Sequence, residues 1–215
     1  YTAVDQLKST GSYKNYKTVS SPQGPWFTGD GKKVLNLCSN NYLGLASHPQ
    51  VMEAAIKAVQ EYGVGTGAVR ALSGNSVLHE KLEKDLAKFK KVESVMVVQS
   101  GFVANLIAVQ TILDKEDIVI SDELNHASII DAVRLSQVQT KFVYAHNNMA
   151  DLAAKLSEAA AIRDTAKRTD GPDKTILSIT DGVFRMEGDI APLPEIVKLA
   201  KQYNALTMVD DAHGE

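Results

Sequence analysis

The chain is poor in several things at once, and each shortage removes a class of protein. Of its 215 residues one is a cysteine, Cys38, so no internal disulfide can form and a reducing compartment is expected. No apolar run approaches the length of a membrane span, and no signal-peptide pattern opens the chain, so a cytoplasmic protein is the expectation. Charge of one sign is lacking too: 23 basic residues are mixed with 26 acidic ones, for a net charge of −3. There is no basic stripe interleaved with aromatics, which speaks against nucleic-acid binding. The nearest basic cluster, Lys88, Lys90 and Lys91, lies on a Glu- and Lys-rich helix and reads as a solvated face. The string G-x-x-x-x-G-K-[ST] is absent, which removes the phosphate-loop reading of an apolar strand followed by Asp-Asp. No metal site is assigned.

What is present is enough apolar content, 44%, to bury one large core or two small ones. Residues 1–31 are polar and turn-rich and read as an extended arm. Val34 to Leu37 reads as a short strand, and CSNNYLGL as a polar loop. Pro49 opens a helix that Gly63 closes, with Met52, Ala55, Ile56 and Val59 on one face. The loop at 63–68 formally matches G-x-G-x-x-G/A, but it follows a helix rather than a strand, so a nicotinamide site is rejected. Val77 to Phe89 is a second amphipathic helix.

From Ser94 the pattern alternates. Strands are expected at Val95 to Val98, Asp117 to Ile120, Phe142 to Tyr144, Thr175 to Thr180 and Ala205 to Val209. Helices are expected between them, with Arg163 to Lys174 as an exposed connection. This alternation predicts an α/β fold around a mostly parallel sheet. The last strand–helix–strand unit is a right-handed βαβ crossover. In such sheets ligands collect at the carboxyl ends of the strands, where Asp210, Asp211 and His213 fall.

Each candidate residue has a plain reading beside the functional one. Asp210 can simply open a loop, or it can keep a heterocyclic nitrogen protonated, as pyridoxal phosphate requires. Ser100, Gly101 and Phe102 can be a capped turn, or an anion site built from free N–H groups at a helix start. His126 can be a cap, or it can stack on a flat cofactor whose phenolic oxygen His213 would bond. Asn40 and Asn41 read first as turn formers, and His48, His79 and His146 are assigned nothing.

Seven strings in order, CSNNYLGLASHP, YGVGTGAVRALSG, HEKLEKDLAKF, QSGFVAN, SDELNHASIID, TDGVFRMEGDIAPL and MVDDAHGE, resemble the α-oxoamine synthase family of fold-type I pyridoxal-phosphate enzymes. The resemblance spans residues 34 to 215. It implies a PLP-dependent transferase fold, with residues 1–45 as arm and substrate loop and 46–215 as an incomplete cofactor-binding large domain. It implies that Asp210 pairs with the pyridinium nitrogen, His213 with the 3′ oxygen, Gly101 and Phe102 with the phosphate, and Asn40 with the amino-acid carboxylate, while His126 stacks on the ring. A homodimer with sites at the subunit interface is also implied. Arg185 stands where the family usually has serine, so it is open whether it stabilises a phenolate, binds a substrate carboxylate or points outward. The family's Schiff-base lysine lies in a T-x-x-K setting that no lysine here has, and the sequence therefore reads as a piece of a longer protein. ISDELNHASIIDAVRL and TDGVF most resemble members that join glycine to acetyl-CoA, and that reaction is the expectation. SGFVAN and GDIAPL are shared with members that decarboxylate alanine while joining it to a longer acyl chain, which is the alternative. A lysine-less structural or regulatory partner is the reading outside enzymes.

Overall fold

A computed structural model of the chain describes residues 2–168 and 173–214. Two compact units divide it, Tyr1–Asp85 and Leu86–Glu215.

The first unit opens with helix α1 (Thr2–Ser9), where an extended arm was expected. Asp5 in its first turn and Lys8 in its last oppose the helix dipole in the favourable sense. Strands β1 (Trp26–Gly29) and β2 (Lys32–Leu35) form an antiparallel hairpin with Gly29 opposite Lys32. Its two-residue turn, Asp30-Gly31, has both φ angles positive at 49° and 74°, the geometry that matches the twist of the flanking strands and that Asp-Gly supplies at low cost. Strand β1 therefore corrects the expectation of an arm up to Gly31. Helix α2 (Pro49–Tyr62) begins at a proline and ends at Gly63, φ 80°. A single π turn over Arg70–Gly74 follows. The Arg70 guanidinium braces it, donating to both carboxylate oxygens of Glu83 at 2.6 and 3.0 Å and to Asn75 Oδ1 at 2.8 Å. Helix α3 (Val77–Lys90) comes next. The expected apolar faces of α2 and α3 exist but stay open, with Ile56 56% and Phe89 76% exposed.

The second unit carries helices α4 (Gly101–Ile112), α5 (Ala127–Leu135), α6 (Met149–Arg168) and α7 (Leu193–Gln202). Between them run strands β3 (Ile118–Asp122), β4 (Thr140–Tyr144), β5 (Ile176–Asp181) and β6 (Leu206–Asp210). The four strands form one parallel sheet in the order β4-β3-β5-β6. Side chains alternate across β3 and β5, and both faces are covered. Ile118, Ile120 and Ile176 pack with Leu152, Leu156 and Ile196 on the α6/α7 side. Val119, Leu177 and Ile179 pack with Val109, Ile129 and Ala132 on the α4/α5 side. The α/β fold with a parallel sheet flanked by helices is as expected.

Two expectations in this unit need correction. Val95 to Val98 is not a strand, and Met96 is 70% exposed. An apolar run becomes a strand only where a neighbour offers a ladder of hydrogen bonds, and neither sheet among the described residues includes this run. Arg163 is not in an exposed connection either. Helix α6 continues through it, and its guanidinium, 11% exposed, donates to the Tyr203 and Asn204 carbonyls at 2.8 and 3.3 Å, satisfying the end of α7. Residues 169–172 of the expected connection lie outside the described residues.

Because Ile179 is fully buried between β5's neighbours and α5, Ile179→Ala should cost about 2–5 kcal/mol. Urea denaturation of the two proteins checks this through the shift in midpoint at constant slope.

Candidate active site

Three adjacent parallel strands end in an acid: β3 in Asp122, β5 in Asp181 and β6 in Asp210. The register sets Asp181 directly opposite Asp210. The chains leaving β5 and β6 come close together here. A Cβ on Gly182 would lie 2.6 Å from Asp211 Oδ1, so glycine permits the approach. Beside these ends is a cavity of about 290 Å³ lined by Gly101, Phe102, His126, Asp181, Arg185, Asp210 and His213 among others. Six of these seven were expected from the sequence. Asn40 belongs to the first unit, in the turn after β2, where its Oδ1 accepts from the Tyr42 hydroxyl at 3.3 Å.

The helix start on one side of the cavity is built by Ser100, whose Oγ accepts from the Val103 N–H at 3.3 Å. The N–H groups of the first turn have no carbonyl a turn earlier within the helix, and they carry the positive end of its dipole. A Cβ on Gly101 would meet nothing within 4 Å, so a glycine there leaves room for a ligand against the backbone. The chemistry of this corner suits a phosphate.

His126 turns out to be both a cap and a pocket residue. It is the N-cap of α5, its Nδ1 accepting from the Ser128 N–H at 3.3 Å. The same nitrogen lies 2.7 Å from Ser128 Oγ, which in turn accepts from Asn105 Nδ2 at 2.8 Å. Asn105 Nδ2 also donates to Asp210 Oδ2 at 2.7 Å. The bonds run in one direction: Asn105 donates to Ser128, and Ser128 donates to His126. This network assigns the neutral ring proton to Nε2. Asn105 and Ser128 are 5% and 1% exposed, so the imidazole and the carboxylate are held through a buried link. Asp210 Oδ1 accepts from the Ala212 N–H at 3.1 Å.

Asp181 was passed over as a site residue. Its Oδ2 accepts from the His126 N–H at 2.9 Å, and its own N–H donates to Asn125 Oδ1 at 2.8 Å. Burial pushes its carboxyl up to about 6, helped by the charge of Asp210 and opposed by the His126 N–H and the two histidine rings. The available signal was its position as an acid ending a buried strand, the same grammar that singled out Asp210. Arg185 is exposed at the pocket wall and forms no ion pair among the described residues. No lysine lines the cavity among those residues.

The model of the aminotransferase class I and II family matches residues 32–215. The 8-amino-7-oxononanoate synthase of Thermosipho melanesiensis is 55% identical over 212 residues, covering 99% of this chain and 51% of its own length. That of Fervidobacterium nodosum is 55% identical over 213 residues, covering 99% and 52%. The chain therefore spans about half the length of the curated relatives it matches. A serine palmitoyltransferase from Sphingomonas wittichii has a TM-score of 0.84 at 30% identity, over 97% of this chain and 50% of that one. A serine palmitoyltransferase from S. paucimobilis with bound PLP–myriocin aldimine gives 0.83 at 28% identity, over 97% and 50%.

These names overturn the expectation that glycine and acetyl-CoA are the substrates. The strings behind it, around His126 and after β5, build the core of α5 and the cofactor-sized pocket. They report that scaffold rather than the acyl group.

The raised carboxyl gives a test with a definite sign. The folded state holds the Asp181 proton more tightly than the unfolded one, so stability falls as pH rises from 3.8 to about 6. Asp181→Asn keeps an oxygen to accept the His126 N–H and removes the titration. Its stability relative to wild type should rise by roughly 1–3 kcal/mol across that window, read from denaturation midpoints at each end of it.

Proposed function

The chain belongs to the aminotransferase class I and II family, in its α-oxoamine synthase branch, and from that premise we propose that the whole protein performs a decarboxylating condensation of alanine with a longer acyl thioester. The relatives' name supports this chemistry. In 8-amino-7-oxononanoate the amino-bearing carbon and its methyl come from alanine after loss of carbon dioxide. The remaining carbons then come from a dicarboxylic acyl group whose thiol departs.

Pyridoxal phosphate is the family's cofactor, and when bound it supplies an electron sink for the carbanion formed at the amino acid's Cα. The chain's own residues divide the remaining work. Asp210, held by Asn105, would keep the ring nitrogen protonated, and His126, its orientation set by Ser128, would stack on the ring. Gly101 and Phe102 would offer first-turn N–H groups to the phosphate. His213 would bond the phenolic oxygen. Arg185, the one Lys or Arg among the described lining residues, supplies the cation that the family's usual serine would not. Asn40 is assigned to the amino-acid carboxylate on the resemblance alone. A second copy of the chain is the proposed partner, and the open apolar faces of α2 and α3 support it.

The observation that carries this reading is the buried link that joins Asp210 to His126 at one pocket, beside a helix start suited to phosphate. The whole protein, given alanine and a long dicarboxylic acyl thioester, should release carbon dioxide and free thiol in equal amounts. Turnover of glycine with acetyl-CoA and no carbon dioxide would remove the reading. An absorbance scan with added pyridoxal phosphate that shows no new band would favour a structural partner instead. Asp210→Asn should leave the fold intact by circular dichroism and lower kcat by about 10²–10³-fold, the scale for losing one preorganised charge.

A further inference from the structure

Asp122, unlike the other two strand-ending acids, does not line the pocket. Its side chain is fully buried. Oδ1 accepts from the Leu124 N–H at 2.9 Å and lies 3.0 Å from His146 Nδ1, while Oδ2 accepts from the Asn147 N–H at 3.1 Å. His146, in the β4–α6 connection, sets its other nitrogen, Nε2, 3.2 Å from Asp189 Oδ2. Its ring packs edge-on against Phe184 with centroids 4.3 Å apart. Phe184 and Asp189 are the two ends of one turn between β5 and α7. That turn is closed by the Phe184 N–H donating to the Asp189 carbonyl at 2.9 Å and the Gly188 N–H to the Phe184 carbonyl at 2.7 Å. Three of the four residues between them, Arg185, Met186 and Glu187, line the pocket.

We propose that His146 is a positioning residue: as an imidazolium it bridges Asp122 to Asp189 and fixes the 184–189 turn as a pocket wall, and on losing its proton it releases Asp189. The significance of the wall for the reaction rests on the function proposed above; the bridge itself does not.

The donor count forces two states. A neutral imidazole has one N–H and one acceptor nitrogen, so it cannot donate to two carboxylates at once. Asp122 is buried and nearer, whereas the Asp189 side chain is 55% exposed and can turn to water. The retained proton therefore stays on Nδ1, and Nε2 becomes an acceptor. A donor for it is already in place, since Asn147 Nδ2 lies 3.1 Å from Nε2. Asn147 Oδ1 is buried with no hydrogen-bond partner, so a half-turn of that amide brings an acceptor to the imidazolium without breaking another bond. Each protonation state thus has its partner beside the ring.

The titratable groups that bond His146 are all acids among the described residues: Asp122 at the end of β3 and Asp189 at the ring nitrogens, and Glu123, whose Oε1 accepts the His146 backbone N–H at 2.8 Å. Burial of the ring opposes its charge, but the bonds to Asp122 and Asp189 and their charges outweigh it, and the pKa is raised above 6.5. The bridge is accordingly complete at low pH and is lost as pH rises through the raised value.

The test begins with ring ¹⁵N NMR of the purified protein. His146 should titrate above 6.5 with both nitrogens protonated on the acid side, and Asp189→Asn should lower the midpoint while Nδ1 keeps the last proton. A ring still neutral at about pH 6, or a midpoint that Asp189→Asn leaves unmoved, overturns the bridge. Fluorescence titration with pyridoxal phosphate at about pH 6 and about pH 8.5 then compares wild type with His146→Gln, which keeps one donor and one acceptor. Wild type should lose about threefold to fivefold more affinity than the variant on going to the higher pH, the scale of a half-exposed pair. Equal losses overturn the coupling to the pocket. Failure of either protein to bind pyridoxal phosphate would instead sink the proposed function and the coupling together, with the bridge still decided by the ring nitrogens.

Discussion

The structure of the second unit turns on one constraint: three adjacent parallel strands that end in carboxylates at the same edge. Charges taken from water must be paired or hydrogen-bonded, and three such groups on adjacent strands repel one another as well. Each is met differently. Asp122 is sealed by two backbone N–H groups and His146. Asp181 takes the His126 N–H and holds its proton to a pH well above the ordinary carboxyl range. Asp210 is left partly open, with Asn105 on one oxygen and the Ala212 N–H on the other. One edge thus yields a structural acid, a proton-retaining acid and an acid free to face a cation.

The helices follow from that division. Helix α4 brings both an anion-attracting start and, one turn further on, Asn105. Helix α5 brings His126 at its N-cap and Ser128 at its second residue. Packing of the two against the same sheet face places Asn105 where one amide nitrogen reaches both Ser128 and Asp210. The side of the pocket that carries Asp210 and His126 is preorganised for this reason. Its key side chains are oriented by buried neighbours on regular elements, not by loops, and such support is what holds a reacting geometry to fractions of an ångström.

The same contrast explains what was legible in the sequence. β3 and β5 announced themselves because a strand covered on both faces is an unbroken apolar run, and a terminal acid marks where it leaves the core. Helices α2 and α7 were bounded by their prolines and Gly63. The strand expected at Val95 to Val98 failed because apolar content does not create a pairing edge. Helix α1 and strand β1 were missed because polarity masked a dipole-matched helix and an Asp-Gly turn. Asn105 and Ser128 were invisible as site residues for a different reason. Their roles depend on partners 105 and 23 positions away, and no local period encodes such distances. His146 was set aside as a loop residue because its two acids, 24 and 43 positions distant, meet it only once the sheet has formed.

Substrate identity sits at yet another level. The chain resembles both 8-amino-7-oxononanoate synthases and serine palmitoyltransferases, proteins whose names contain different amino-acid and acyl components. What they share with this chain is the fold, and the strings around His126, Asp181 and Asp210 build one pocket of it. Discriminating glycine from alanine rests on a single methyl group, worth about 1–3 kcal/mol in a fitted pocket. That difference is decided by the position of a wall rather than by any charged residue. The turn carrying Arg185, Met186 and Glu187 lines the pocket, with a guanidinium where the resembled family usually has a serine. Strings shared between such relatives therefore name the scaffold, because a choice on the scale of one methyl group leaves no mark in them.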